Sequence, residues 1–308
     1  MISSWRPRRD DPLFILAMDH RESFGRTLFG VVDDSPTDEQ RQAMQAAKSL
    51  VYRGLALARR QITIGRPGVL VDERYGAAVI AAAKSDGVVL AVPVEASGHE
   101  WFTLEWGDAW RDHIREVAPA YAKVLVRDNP AFPTANRHAQ LGRLATISAG
   151  LTGMGMPLIY ELLVPATDEQ MAAVGGAPDR YDREVRPGLV TEVIADNQAA
   201  GVEPTLWKVE GLETVDAAQQ IADQARAGGR DANLIVLGRD APTEHLNRWL
   251  AVAAQVNAFV GFAIGRSIWE HVIHDWRSQG LTEQQATRRV ADSYLEFVRV
   301  WLAAASTS

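Results

Sequence analysis

Eight short apolar runs, each followed by a stretch of helical periodicity, constrain the fold of this chain more than any other feature of its sequence. The runs are 13–20 (LFILAMDH), 68–73 (GVLVDE), 88–95 (VVLAVPVE), 120–127 (AYAKVLVR), 157–165 (PLIYELLVP), 204–211 (PTLWKVEG), 232–238 (ANLIVLG) and 258–265 (AFVGFAIG). Helical patterns lie between them at 38–60, 77–85, 106–117, 136–150, 183–200, 215–227 and 244–256, and a last one covers 283–304. Strands that are apolar on both faces belong to parallel sheets covered by helices, and eight is the number that closes such a sheet into a barrel. An open, doubly wound sheet is disfavoured because the first run ends in Met18-Asp19-His20-Arg21 and not in a glycine fingerprint. The expected fold is a single α/β domain, a (β/α)8 TIM barrel over 13–308 with a C-terminal helix, preceded by a polar extension at 1–12. Thr37 with Gln40, and Thr282 with Gln285, have capping-box spacing at two helix starts.

Composition narrows the chemistry. A net charge of -7 with no basic tract argues against nucleic acid as a partner, and the lack of any long apolar run argues against a membrane. The arginine-rich first residues lack the apolar core of a signal peptide, so a cytoplasmic location is expected. There is no cysteine for a thiolate metal site or nucleophile. Of the 32 basic residues only Lys48, Lys84, Lys123 and Lys208 are lysines. Arginine was therefore acceptable at nearly every cationic position, and each retained lysine is informative. Lys48 and Lys84 fall in amphipathic helical stretches and are expected to be solvated. Lys123 and Lys208 interrupt strand-like runs, where a charge is costly without a partner or a task.

In parallel barrels the site forms at the carboxyl ends of the strands. The polar residues there are Asp19, His20 and Arg21 on the first run, Asp72, Glu73 and Arg74 on the second, and Glu95 on the third. Lys123 and Arg127 follow on the fourth, Glu161 on the fifth, and Lys208 and Glu210 on the sixth. Residues two apart on a strand share a face, which groups Lys123 with Arg127 and Lys208 with Glu210. If Lys123, Glu161 and Lys208 point inward, two amines and a carboxylate meet on three consecutive strands. An amine is nucleophilic only when neutral, and a neighbouring cation favours that state; arginine at either position could not form an imine. The competing reading makes both lysines structural, neutralised by Glu161 or Glu210. The last two strand ends read Gly238-Arg239 and Gly265-Arg266-Ser267, in the place where such barrels hold phosphate. Only His20 among seven histidines lies at a strand end, so no metal site is expected, and no nucleotide or cofactor motif is present.

The stretches FILAMDHRESF, YGAAVIAAAK, LAVPVEASG, YAKVLVRDNP, YELLVPAT, YDREVRPGLV, WKVEGLE, IVLGRDA and GFAIGRSIW resemble the class I tagatose-bisphosphate aldolase-like family. Within it they are most similar to the aldolase domain fused to the sugar kinase of inositol catabolism. The resemblance implies a metal-independent, cofactor-free lyase in which Lys208 forms the Schiff base, Lys123 and Glu161 assist, and Asp19 lies beside them. By the resemblance Arg266 and Ser267 would form the anion site; position at the strand ends places Gly238, Arg239, Gly265, Arg21 and Glu95 around the substrate. The implied reaction is cleavage of 2-deoxy-5-keto-gluconate 6-phosphate to dihydroxyacetone phosphate and malonate semialdehyde; tagatose bisphosphate or sulfofructose phosphate are the alternative substrates. A non-catalytic sugar-phosphate sensor and a phosphosugar isomerase are the rival functions; the expected partner is a small-molecule ketose phosphate, and the sequence is compatible with a homo-oligomer.

Overall fold

The computed structural model describes residues 5–306. Eight parallel strands close in chain order: β1 (Leu13–Met18), β2 (Arg66–Val71), β3 (Val89–Pro93), β4 (Tyr121–Arg127), β5 (Leu158–Leu163), β6 (Leu206–Val209), β7 (Asn233–Leu237) and β8 (Phe259–Ile264). The expected barrel is therefore present. No helix among the described residues is long and apolar enough to cross a membrane.

The helices are α1 (Glu22–Phe29), α2 (Asp38–Ala58), α3 (Glu73–Asp86), α4 (Trp110–Val117), α5 (Thr134–Gly153), α6 (Asp168–Ala173) and the single turn α7 (Pro178–Arg180). They continue with α8 (Arg186–Ala199), α9 (Val215–Ala225), α10 (Thr243–Ala253), α11 (Arg266–Arg277) and α12 (Glu283–Ala305). The capping boxes at Thr37 and Thr282 both form, and a third, Thr167 with Gln170, starts α6. Helix α1 and helix α6 were not expected, since eight and six residues are too few for a helical period to stand out. The helix expected over 183–200 starts at Arg186, after a wider turn at 181–185.

Alternation along the strands separates two apolar layers. Leu13, Ile15, Ala17, Leu70, Ala91, Tyr121, Ile159, Leu206, Ile235, Val260 and Ala263 fill the barrel, and the half-buried Trp5 packs against their lower end. The outward residues, such as Leu16, Val69, Val124, Tyr160 and Trp207, form a second core with the helices. Closure between β8 and β1 depends on Gly261. It has φ 137° at a bulge in β8, and a Cβ there would lie 1.9 Å from the Leu13 carbonyl oxygen.

Candidate functional site

Polar residues take over where the inward apolar stacks end. On β1 the stack Leu13, Ile15, Ala17 is followed by Asp19; on β4 Tyr121 is followed by Lys123; on β5 Ile159 by Glu161; on β6 Leu206 by Lys208. The register sets Glu161 directly beside Lys208 across the β5–β6 ladder. A polar layer thus lies on a dry floor at the carboxyl end of the barrel, in a cavity of about 690 Å³. That volume falls within the usual range for small-molecule sites.

Lys123 is the hub of this layer. Its ammonium lies 2.8 Å from Asp19 Oδ2, 2.6 Å from Glu95 Oε1 and 2.9 Å from Glu161 Oε2, with 1% of the side chain exposed. Lys208 Nζ has Glu161 Oε1 at 2.7 Å as its one ion-pair partner among the described residues. Glu161 therefore bridges two ammonium groups with its two oxygens.

The environment drives these groups apart in acidity. Burial acts to lower the Lys123 pKa, but Asp19, Glu161 and Glu95 together raise it far above the usual lysine value. For Asp19, burial acts upward and is outweighed chiefly by Lys123, with Lys208 adding to it; together they hold the carboxyl well below its usual range. Glu161 is lowered in the same way by its two lysines. Glu95 goes the other way, because burial exceeds the pull of Lys123 and Arg21 and raises its pKa. His20 is pushed down to about 4 by burial, with Arg266, Lys208 and Lys48 adding to the effect, so its imidazole is neutral.

The other expected site residues are placed as follows. Arg21 lines the cavity, but its guanidinium donates to the Glu95 carbonyl at 2.8 Å and to Glu105 at 3.2 Å. It clamps the base of a hairpin in which Glu95 pairs with Leu104 and the Ala96 N–H donates to the Thr103 carbonyl. Arg239, with φ 46°, donates to Asp182 at 2.9 Å and Glu210 at 3.1 Å. Arg266 pairs with Asp240 at the first residue of α11, and Ser267 Oγ donates to the Ala241 carbonyl. Gly238 and Gly265 both line the cavity. A Cβ on Gly265 would lie 2.6 Å from the Ala17 carbonyl oxygen, so glycine lets α11 begin directly against the end of β1. No side chain caps α11, so its N-terminus presents the positive end of the helix to the cavity.

Three expectations are corrected. Lys48 is not solvated: it is 1% exposed and donates to the carbonyls of Met18, at 2.6 Å, and His20, at 3.0 Å, and to the Asp72 carboxylate. The helical pattern of α2 could not reveal that this face meets the polar ends of β1 and β2. The second strand contributes nothing to the cavity: Asp72 caps α3, Glu73 pairs with His113 and Arg74 with Asp34. Glu210 does not share the Lys208 face, because β6 ends at Val209 and the carboxylate turns outward to Arg186, Arg239 and the Val164 N–H. The hairpin tip, with Gly98, His99, Glu100 and Trp101, lines the cavity and was not anticipated. Its sequence, SGHEW, carries no periodicity and reads only as a loop.

A sequence model described as "Uncharacterized protein conserved in bacteria (DUF2090)" matches residues 2–305. This chain belongs to that family. None of the curated proteins matches it. Among solved structures, Cgl0159 from Corynebacterium glutamicum is similar at a TM-score of 0.59 and 16% identity, covering 92% of this DUF2090 chain and 85% of that one. The likeness is one of fold. A mandelate oxidase aligns at a TM-score of 0.48 and 11% identity over 96% of this chain and 75% of its own, too distantly to inform the chemistry.

Proposed function

We propose that this protein is a class I aldolase that cleaves a ketose phosphate through an imine on Lys208. The observation that carries the reading is the unequal partnering of the two buried lysines. Lys123 is held by three carboxylates and stays cationic, whereas Lys208 shares a single carboxylate that is already engaged with Lys123. Lys208, with fewer carboxylate contacts, is the amine this reading assigns to the attack on the carbonyl.

In this reading neutral Lys208 adds to the substrate ketone. Glu161, in contact with both lysine nitrogens, takes up and returns protons while the carbinolamine loses water, and the resulting protonated imine draws electrons from the adjacent carbon–carbon bond. Asp19 or Glu161 accepts the proton of the hydroxyl on the far carbon as the aldehyde leaves. The enamine is then reprotonated and hydrolysed. The positive end of α11, with Arg266 and Ser267, is the place for the phosphate; Arg239 is more fully neutralised by its own acids. The resemblance in sequence favours 2-deoxy-5-keto-gluconate 6-phosphate as substrate. Ketose phosphates offered singly, with dihydroxyacetone phosphate measured as product, test the reading. Wild-type protein should release it from at least one, and Lys208→Arg should release none. Appreciable turnover by Lys208→Arg would point to an isomerase-type mechanism without an imine.

A further inference from the structure

The arginines of the cavity differ in one respect that bears on the end of the substrate away from its phosphate. Arg21, Arg26, Arg239 and Arg266 are each paired with a carboxylate: Glu105, Glu22, Asp182 with Glu210, and Asp240 respectively. Arg127 also lines the cavity, yet among the described residues its guanidinium has no ion pair, hydrogen bond or ring contact. Its neighbour Asp128, the nearest acid in sequence, is taken by Arg137 at 2.7 Å.

The position of this cation follows from the barrel. Strand alternation puts Arg127 on the inward face with Lys123 and Leu125, all three of which line the cavity. Four residues of strand rise set its Cα about 13 Å beyond that of Lys123, at the rim. In a closed eight-stranded order β4 is diametrically opposite β8, which leads into α11 and Arg266. Between these poles lie Glu161 on β5 and Lys208 on β6, with Lys123 deeper on β4 itself. A ligand with its phosphate at α11 and its carbonyl at Lys208 therefore extends its remaining carbons toward Arg127. Leu163 is the neighbour of Arg127 across the β4–β5 ladder, and both line the cavity together with His99 and Trp101 of the hairpin tip.

We propose that Arg127 is a specificity-determining residue that holds a second anionic group of the substrate, at the end remote from the phosphate. One unpaired guanidinium, without a helix N-terminus or glycine loop beside it, matches a singly charged carboxylate, whose two oxygens accept its paired N–H groups. Placing the phosphate at α11 rests on the aldolase reading, but the charge selectivity of Arg127 can be measured without any catalysis.

Two stable six-carbon probes, neither with a ketone, make the test. 6-Phosphogluconate carries a phosphate at one end and a carboxylate at the other; glucitol 6-phosphate has an alcohol in place of the carboxylate. Calorimetric titration of the full chain should give a Kd for 6-phosphogluconate about 10- to 100-fold below that for glucitol 6-phosphate, the ratio expected of one charge-assisted hydrogen-bonded pair. Arg127→Ala should bring the two constants within about 2-fold by weakening 6-phosphogluconate alone, and Arg127→Lys should keep part of the preference. Equal affinities in the wild type, or a preference that survives Arg127→Ala, would overturn the assignment. Because Arg127 is exposed and unpaired, a loss of folding in Arg127→Ala is not expected, and a thermal midpoint like the wild type's establishes that the variant is intact. Failure of imine trapping on Lys208 with the 6-phosphogluconate preference intact would remove the aldolase reading and leave this one standing.

Discussion

Replacing each buried lysine by methionine should separate a scaffolding cation from a reactive amine. Lys123 neutralises three carboxylates at 2.6–2.9 Å, all shielded from water, and its removal leaves Asp19, Glu95 and Glu161 to share Lys208 and Arg21. Breaking a buried pair costs about 3–5 kcal/mol, because the abandoned charge stays in a medium that solvates it poorly. Lys208→Met leaves Glu161 still bound to Lys123, so the loss is that of one charge-assisted contact, about 1–3 kcal/mol, partly offset by burying an apolar chain. Chemical denaturation at neutral pH, read by tryptophan fluorescence, would measure both.

The pH dependence follows from the directions of the shifts. Asp19 and Glu161 are depressed, so their contribution is complete above the unfolded carboxyl value of about 4 and is lost as pH falls through their folded values. Lys123 is raised, so its contribution is complete below the unfolded lysine value of about 10.4 and disappears as pH rises through its folded value. The penalty for Lys123→Met is therefore greatest between about pH 5 and pH 10 and shrinks in acid, where the orphaned carboxyls are protonated. A Lys208→Met variant as destabilised as Lys123→Met, or a Lys123→Met penalty that grows toward pH 4, would refute the assignment of roles.

Other outcomes are equally definite. Glu161→Gln should slow turnover of the active ketose phosphate about 100- to 10,000-fold, as loss of a proton-transfer group does, while its KM changes far less. Lys48→Met should lower stability by about 3–5 kcal/mol by stranding the Asp72 carboxylate, and adding Asp72→Asn should recover much of it; thermal melts of single and double variants decide this. Gly261→Ala combines a side chain at φ 137° with an approach to Leu13, and should cost about 2–6 kcal/mol or prevent folding, seen as a lost or broadened melting transition. The His20 imidazole should titrate near 4 in an NMR pH series, with the neutral ring persisting at pH 5.5; an inflection near 6.5 would contradict its burial.

The barrel was legible because β1 to β8 are apolar on both faces and recur with the period of a β/α unit, a signal that tertiary context does not erase. The centre of the site was legible for a related reason. In a chain that avoids lysine, Lys123 and Lys208 break apolar runs at positions of known facing, so alternation alone put them with Glu161. What alternation could not supply was the identity of each partner. The pairing of Lys48 with Asp72, the turning away of Glu210 and the hairpin over the mouth all depend on contacts between elements distant in sequence, or on backbone beyond a strand's last residue. The Gly-Arg loops line the cavity, while the acids that neutralise Arg239 come from 182 and 210, which nothing near 239 foreshadows.

The central claim is tested most directly by finding where a carbonyl becomes attached. Dihydroxyacetone phosphate incubated with the protein and borohydride should leave one stable adduct, mapped by peptide mass spectrometry to Lys208, and abolished in Lys208→Arg. An adduct on Lys123 would invert the assignment, and the absence of any adduct under conditions where the ketose is cleaved would exclude an imine altogether.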